Sequence, residues 1–570
     1  MSLTAAIQIA RSALTTSQIG LQVAGQNLAN LGTPGYTRQV ASLSPVRSNQ
    51  SSEFYIGRGV QVDGVRRQIN EAVQKRLWNG VSDEYAKARR YDINAQLEGL
   101  LNELTGFDLS SEMSGFFNAW SEAANLVASP SSVVEQGDRM AGFVRSLRQD
   151  LGALRRQLED EIDGSVLRAD ALLDEIAGIN VEIQQTELTS ATANALRDQR
   201  DALVTELSEF LEVTVVEGNQ GNLDVLVGST PIVLGGTSRG LDVQRRDVNG
   251  TLTTRVVVGA DSEPLNITSG SLGGLLEARN SGVDETIEKL DTLTSEMIFR
   301  VNSLHATGRN KNQLTDTIGT LQVQTTDRIL ALNDPANESF ADLPFAASNG
   351  GFFVETTNVS TGATQRIRID VDLDGLNADD TSAEDIRTDL DAITGVNATW
   401  DSEGKLTINA DPDFEFSFAD DSSDVLAVLG VNSYFEGTNA DSIAVRSDLI
   451  DDPSQVMIGR SVNGEFVENA TALELSALRD EALTALSDGS FSEYWRDHVQ
   501  HVGTQTSAAL TEANSAILIR ESLEAQRASI SGVDADEESI NLITFQQQYS
   551  GAARLIQIAD QLMDELLAII

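Results

Sequence analysis

A chain of 570 residues with 41% hydrophobic content is long enough for more than one buried core and too apolar to be disordered. Its 86 acidic residues against 40 basic ones leave a net charge of −46, which argues against nucleic acid or an anionic membrane as a partner, since both repel a polyanion. The absence of cysteine removes disulfides, thiolate catalysis and zinc–cysteine sites together.

The first predicted helix runs from Leu3 to Leu31. Leu3, Ile7, Ala10, Leu14, Ser17, Leu21, Ala24, Leu28 and Leu31 alternate in steps of four and three. That is the a/d spacing that turns one narrow stripe of a helix towards a partner helix. The alternative is a stripe packed on an ordinary globular core. No acidic residue precedes Glu53, and the charges of this stretch are Arg11, Arg38 and Arg47. Arg11 is the only early base, and Ser, Thr and Gln interrupt the apolar residues, so no secretory signal peptide is expected. No apolar run reaches the length of a transmembrane helix either. Gly32, with Pro34 two positions on, reads as a helix stop in which the glycine takes the left-handed conformation, and Gly35 allows the turn that follows.

From Thr37 to Val65 the pattern weakens to short extended pieces around Val40, Leu43, Val46, Phe54, Ile56, Val60 and Val62. Helical spacing returns from Arg67 to Leu104 and again from Ser110 to Val127, and Pro130 starts another helix. Leu147, Leu151, Leu154, Leu158, Ile162, Val166, Leu173, Ile176, Ile179 and Ile183 then describe one very long helix or two nearly continuous ones. Ala195 to Leu211 is a further helix. Helices of this length imply an elongated bundle. After Val213, short β-type runs at Val213–Val216, Leu223–Val227, Ile232–Leu234, Leu241–Val243 and Thr253–Val258 are separated by Gly and Asn turns. Helix is expected from Ser271 to Thr307.

Residues 319–452 read as an inserted β-rich domain, with strands at Phe352–Val354, Arg366–Val371, Ala398–Trp400, Leu406–Ile408 and Phe414–Phe418. Two short helices are expected at Ala383–Ile393, capped by Ser382 with Asp385, and at Asp424–Leu429. Leu473–Leu486 and Ser492–Ile530 read as helices. In the last helix Leu542, Phe545, Tyr549, Ala552, Ile556, Ala559, Met563, Leu566 and Ile570 repeat the a/d spacing of the first, beside Asp534, Asp536, Glu537, Glu538, Asp560, Asp564 and Glu565. Two seams at opposite ends predict that the termini meet, an acid-free helix beside an acidic one.

Three constellations could carry chemistry. Gly236-Thr237-Ser238-Arg239-Gly240 matches GxSxG, but Leu241-Asp242-Val243 alternates like a strand where the nucleophile elbow needs a helix, so it reads as a turn. Asp370, Asp372 and Asp374 match the start of a calcium loop that lacks the acid at its twelfth position, where Thr381 stands; Glu384 serves only with a longer loop. This reads as a strand end and turn. His498 and His501, on one helix face, read as a surface pair for want of a further ligand. The acidic run from Asp411 to Asp424 reads as a solvated face. No enzyme, cofactor or metal is expected.

The run Asn27-Leu28-Ala29-Asn30-Leu31-Gly32-Thr33-Pro34-Gly35-Tyr36-Thr37-Arg38-Gln39 resembles the N-terminal signature of the bacterial flagellar axial proteins, the rod, hook and hook-associated subunits. Ser531-Gly532-Val533-Asp534, Glu537-Glu538, Phe545-Gln546-Gln547-Gln548-Tyr549 and Ala552-Ala553-Arg554 resemble their C-terminal signature, and Phe299–Gly308 resembles a third motif. Within that family the likeness is to the hook-associated members at the hook–filament junction. Asn27, Asn30, Thr33, Pro34, Gly35 and Tyr36 carry the motif. The resemblance implies a secreted structural subunit that leaves the cytoplasm by the flagellar type III route. It implies a ring of identical copies, hook protein on one side, a second junction protein on the filament side, and a cytosolic export chaperone on the C-terminal segment.

The fold class that follows is multidomain α+β. Its parts are a terminal coiled-coil segment of 1–32 with 538–570 and an elongated helical bundle of 33–212 with 269–318 and 453–537. A small β hairpin region at 213–268 and the β-rich insertion at 319–452 complete it. The alternatives are another axial subunit, hook or rod, and a surface-associated calcium-binding or hydrolytic protein.

Overall fold

The computed structural model describes residues 3–569 other than 47–56, 102–105, 107, 126–128, 189–191, 219–220, 249–250, 377–378 and 463; at 247, 248, 251, 252, 566 and 569 it describes the backbone alone. The expected extended residues Phe54 and Ile56 and the expected helix ends Leu104, Val127 and Ile570 lie outside the described residues. Two compact units divide the chain: 1–93 with 157–279 and 507–570, and 94–156 with 280–506. The fold is mixed α+β, and every strand pair is antiparallel.

In the first unit the helix Leu3–Ala29 packs along the helix Ala535–Ile569, so the termini meet as their matched periodicity predicts. Strands Gln39–Pro45 and Val60–Arg67 form a hairpin beside the first of these helices, with a bulge at Ser42/Leu43. A four-stranded meander follows the helix Asn194–Phe210, in the order Thr214–Glu217, Leu223–Val227, Thr230–Leu234 and Thr237–Ser238. Leu223, Val225 and Val227 alternate inward, as a half-buried strand requires. Asn180, fully buried on the helix Pro130–Glu187, ties the meander down. Its Nδ2 donates to the carbonyls of Leu223 and Gly235 at 2.8 and 2.7 Å, and its Oδ1 accepts from Leu223 N at 3.2 Å. A buried amide is tolerated only when satisfied in this way.

The long helix Pro130–Glu187 is single and continuous, and all ten residues of its predicted stripe, Leu147 to Ile183, are buried. The helix expected over Ser271–Thr307 is interrupted. Gly270–Ala278 and Glu285–Ala306 are joined by a π-helical turn, Arg279–Asp284, whose fully buried Arg279 reaches Glu159 at 3.2 Å. The extra residue of a π turn does not change hydrophobic spacing enough to show in a sequence.

The second unit holds the β-rich region. Gly350–Asn358 pairs with Ala363–Val371 on one side and Phe414–Ala419 on the other. Leu406–Ala410 pairs with Val396–Trp400 and with Asp316–Ile318. Phe352, Val354, Ile369, Ile386, Leu390, Ile408, Phe416 and Phe418 form its core. The helix Ala383–Asp391 starts on the expected capping box: Ser382 Oγ accepts from Asp385 N at 3.2 Å, and Asp385 Oδ2 accepts from Ser382 N at 2.9 Å.

The third motif also finds its role in this unit. Asn302 Oδ1 accepts from the backbone of Tyr434 and Phe435 at 3.0 and 2.8 Å, and its Nδ2 donates to Phe435 O at 2.9 Å. Fully buried His305 accepts at Nε2 from Met457 N at 3.0 Å, which leaves Nδ1 to donate to Asn432 O at 2.8 Å. The two side chains clamp residues 432–435 into an aromatic cluster with Phe116 and Trp120.

Two expectations need correction here. The helix expected over Leu473–Leu486 ends early: Ala470–Ala477 is helical, Leu478–Asp480 and Thr484–Leu486 are single 3₁₀ turns, and Leu483 N bonds Gly489 O at 3.1 Å. Buried Leu483 and Leu486 imitate helical spacing from within a turn closed by left-handed Ser487 and Asp488. His498 is not a surface residue. It is buried with Nε2 at 2.9 Å from Thr286 Oγ1, while exposed His501 pairs with Gln505.

Candidate functional site

The terminal helices and the loop between Ala29 and Gln39 make up the candidate site. The first helix carries almost no charge, and the residues that it buries are small: Ala10, Thr16, Ser17, Gly20, Ala24 and Asn27. Opposite them on the last helix, Glu538, Ala552 and Ala559 are buried and Leu542, Phe545, Ile556 and Met563 are half-buried. Tyr549 is exposed at the edge, and the Leu566 side chain lies outside the described residues. A side chain at Gly20 would put its Cβ 2.6 Å from the Phe545 ring, so the glycine is the hole that admits the phenylalanine.

The inward stripe of the first helix is thus turned from the one its large residues predict. Ala10, Ser17 and Ala24 belong to both. Gly20 and Asn27 replace Leu21 and Leu28; Leu3, Ile7, Leu14 and Leu21 lie half-buried on the flank, and Leu28 and Leu31 are exposed. Counting apolar residues misses this because glycine and asparagine are not counted. The signal that reveals it is the recurrence of small residues at 10, 17, 20 and 24. Gly20→Val is expected to destabilise the pairing by about 1–3 kcal/mol, as overpacking does. Hydrogen exchange at residues 540–560 reads this as faster opening, and unchanged exchange would refute the hole.

On the last helix a second apolar stripe faces away from the first helix. Ile540, Ile543, Leu555, Ile558 and Leu562 are exposed, Ile540 to 64%. Apolar side chains in such a row are unusual on a solvated helix.

The loop motif has a structural account residue by residue. Asn30 Nδ2 donates to the Gln26 carbonyl at 2.9 Å and closes the helix end, and Thr33 Oγ1 reaches Asn30 Oδ1 at 3.3 Å. Gly35, not Gly32, takes the left-handed conformation, at φ +79°, one residue after Pro34. The turn falls there because Tyr36 N closes on Thr33 O at 3.3 Å around Pro34 and Gly35, and the position after the proline needs a positive φ. Asn27, buried to 1% exposure, donates from Nδ2 to Gln39 O at 2.9 Å and accepts at Oδ1 from Gln39 N at 3.0 Å. Its Oδ1 also accepts from the Tyr36 hydroxyl at 2.9 Å. Burial, with the charges of Asp198 and Glu538, pushes the Tyr36 phenol up to about 12, so it remains a donor at any ordinary pH.

The same loop grips the start of the last helix. Arg38 N donates to Ser531 O at 2.9 Å, and its guanidinium reaches Glu538 Oε1 through Nε at 2.7 Å and Glu537 Oε2 through Nη1 at 2.9 Å. Asp534 Oδ1 caps that helix, accepting from Asp536 N and Glu537 N at 2.8 and 3.0 Å. Thr37 N donates to Asp198 Oδ2 at 3.3 Å, and Arg67 joins Asp198 and Asp201 at 3.0 and 2.7 Å. Arg38, Glu538 and Asp198 were not among the predicted site residues. The absence of acids at one end of the chain and their excess at the other was the signal for the first two.

The other constellations do not assemble an active site. Ser238 lies in the two-residue strand Thr237–Ser238 and its Oγ accepts from Gly240 N at 3.2 Å, with a strand next, as the turn reading expects. Asp372 and Asp374 group with Asp380 within 4.8 Å, whereas Asp370 pairs with Arg368 at 3.1 Å. Oδ1 of Asp374 and of Asp380 accepts from the backbone N–H of Leu376 and Gly375 at 2.7 and 3.0 Å, the pattern of a turn. Glu384 is engaged by Trp400 Nε1 at 2.7 Å and by Arg387. Among the described residues, no helix is long and apolar enough to cross a membrane.

Comparison with known proteins falls on these same elements. Residues 7–37 match the flagella basal body rod protein model, 524–569 the flagellar basal body rod FlgEFG protein C-terminal model, and 94–319 the flagellar hook-associated protein FlgK helical domain model. Flagellar hook-associated protein 1 of Escherichia coli strain K12 is 25% identical, with 99% of both chains covered. The protein of the same name in Bacillus subtilis strain 168 is 25% identical over 98% of this chain and 97% of its own. In fold the chain is similar to the flagellar hook junction protein FlgK from Burkholderia pseudomallei, at TM-score 0.52 and 14% identity, over 80% of this chain and all of that one.

Proposed function

Because the chain belongs to the flagellar hook-associated protein 1 family, we propose that it works by packing its terminal helices into the flagellar axis at the junction of hook and filament. It is a structural subunit of the bacterial flagellum and not an enzyme.

The observation that carries the mechanism is the half-covered terminal pair. The first and last helices bury small residues against each other and leave Ile540, Ile543, Leu555, Ile558 and Leu562 in solvent. A lone pair with so thin a seam is marginal, since helical stability comes mainly from tertiary packing. In a ring of identical copies, neighbouring terminal helices cover the outer stripe and extend the pair into a coiled-coil layer. Ordering is then conditional on the right neighbours, because its entropic cost falls due at assembly. Leu3, Ile7, Ala10, Leu14, Leu21, Ala24, Leu28 and Leu31 contribute to that interface from the first helix. Leu542, Phe545, Tyr549, Ala552, Ile556, Ala559, Met563 and Leu566 contribute from the last. The hook protein lies on one side of the ring and a second junction protein on the filament side.

The remaining layout follows the same reading: 1–32 with 538–570 as the axial segment, an elongated helical bundle of 33–212 with 269–318 and 453–537, a β hairpin region at 213–268, and 319–452 as an outer domain. Export is by the flagellar type III route, for which a chain without cysteines cannot cross-link on the way. A cytosolic chaperone that covers the C-terminal segment before export would keep Ile558 and Leu562 from aggregating.

Co-sedimentation with hooks stripped of caps and filaments tests the reading. The full chain is expected to bind and then accept the filament-side protein, whereas versions lacking 1–32 or 538–570 do not bind. Leu14→Asp and Ile556→Asp should fold in the body yet fail to incorporate. Binding by no version, or normal junctions from either point variant, would sink it.

A further inference from the structure

The first unit contains a cleft of about 590 Å³ away from the terminal pair, among the end of the Val60–Arg67 strand, the start of the helix Glu71–Leu101, the helix Asn194–Phe210 and the strand Thr214–Glu217. Ile69, Trp78, Val215 and Leu223 give it an apolar wall. Its charge is the reverse of the chain's: Arg66, Arg67, Lys75, Arg197 and Arg200 line it against Glu71, Asp201 and Glu217.

Two of those cations are neutralised internally. Arg67 is held by Asp198 and Asp201, and Arg197 by Glu187 at 2.9 Å and Glu217 at 2.6 Å. The other three have no carboxylate partner among the described residues. Arg66 reaches only the Ser42 hydroxyl, and Lys75 stands exposed on the rim. Arg200, 2% exposed, donates from Nη1 to Asn180 Oδ1 at 3.0 Å and Gly221 O at 2.7 Å, while its buried Nε is unpartnered. The charges of Asp201 and Glu217 act on Arg200 without bonding it, and a carboxylate set directly against a buried guanidinium is held more strongly than one in water.

We propose that the cleft receives an acidic side chain from a second copy of this chain, its carboxylate drawn to Arg66, Lys75 and Arg200 and its neighbouring residues resting on Trp78. This rests on the ring assembly proposed above. Every neighbour in such a ring carries the same surplus of 86 acidic over 40 basic residues, so adjacent copies repel unless particular contacts offset it. A cationic cleft with unpaired donors is the complement that an acidic neighbour supplies, and charge matched at a few points sets the register between copies.

The test uses full-length chain mixed from ¹⁴N- and ¹⁵N-labelled copies, assembled on stripped hooks and treated with a carbodiimide. That reagent joins Lys75 Nζ to a touching carboxylate as an amide, and mass spectrometry of mixed-label peptides separates links between copies from links within one. The expected result is a Lys75 link to an Asp or Glu of the other label, together with at least tenfold weaker incorporation of the Arg66→Glu/Lys75→Glu variant at low salt, an effect that fades at high salt. Co-sedimentation with Lys75 linked only within its own copy, to a hook subunit, or to nothing would overturn the inference and leave the junction reading standing. If the chain does not sediment, the same coupling is run on concentrated chain in solution. Absence of the mixed-label link there overturns the inference on its own.

Discussion

Arg38→Ala is expected to release the last helix from its neighbours at a cost of about 3–5 kcal/mol. Glu538 is only 2% exposed, and the Arg38 Nε is its partner at 2.7 Å. Removing the arginine leaves a buried carboxylate without its counter-ion, which costs more than the pair contributes when whole. The second partner behaves differently. Glu537 is 62% exposed on its side chain, so Glu537→Gln should change stability by less than about 1 kcal/mol. Hydrogen exchange over residues 535–569 separates the two variants. Protection lost in the first and kept in the second is the expected outcome, and equal protection in both would dismiss Arg38 as the clasp. Arg38→Lys should fall between, since an ammonium cannot bridge two carboxylates as a planar fork does.

Acid is expected to destabilise the second unit as its buried histidines take up protons. Burial lowers the His305 ring from its ordinary 6.5 to about 4, with the opposing charges of Arg446 and Asp448 as minor influences. His498, lowered by burial and by Lys289 and His501, follows the same direction. The folded state therefore refuses a proton that the unfolded chain accepts below about 6.5. Stability from the neutral ring is whole above that pH, declines as pH falls towards 4, and is lost below it. For His305 the decline amounts to about 3 kcal/mol. Melting temperatures across pH 7.5 to 4 give the slope, and a flat profile would contradict a neutral, doubly bonded imidazole.

Long periodic helices were legible because period is robust to individual residues: the stripe from Leu147 to Ile183 is buried throughout. The β region was legible from alternation and Gly or Asn turns, and the Ser382–Asp385 box from a local rule. What escaped depended on shape or on partners remote in sequence. The terminal seam was placed on the correct helices, yet its inward side is set by the hole at Gly20 that Phe545 enters. The helix stop was recognised at Gly32, but the left-handed residue is Gly35, in the turn that Tyr36 N closes on Thr33 O. Asn27 could be quoted as part of a motif without any hint that it mimics a strand edge for Gln39. The π turn at Arg279–Asp284 and the early end of the helix at Ala477 lie where hydrophobic spacing continues although the backbone does not.

The link between Arg38 and Glu538 spans 500 positions. Closing a loop of that length in an unfolded chain costs about 5–6 kcal/mol of entropy by the logarithmic law, before any contact is rewarded. The chain has a shorter route. Arg38 also bonds Ser531 O, and Thr37 bonds Asp198, so once those neighbours are in place only a few residues remain to be brought home. On topological grounds the body is expected to condense first and the termini to close last, because their contacts span the longest loops. A chain made from its N-terminal end cannot finish its clasp until residue 538 has been added. The pairing of the two ends is thus a late contact, one that a chain cut short of residue 538 cannot make at all.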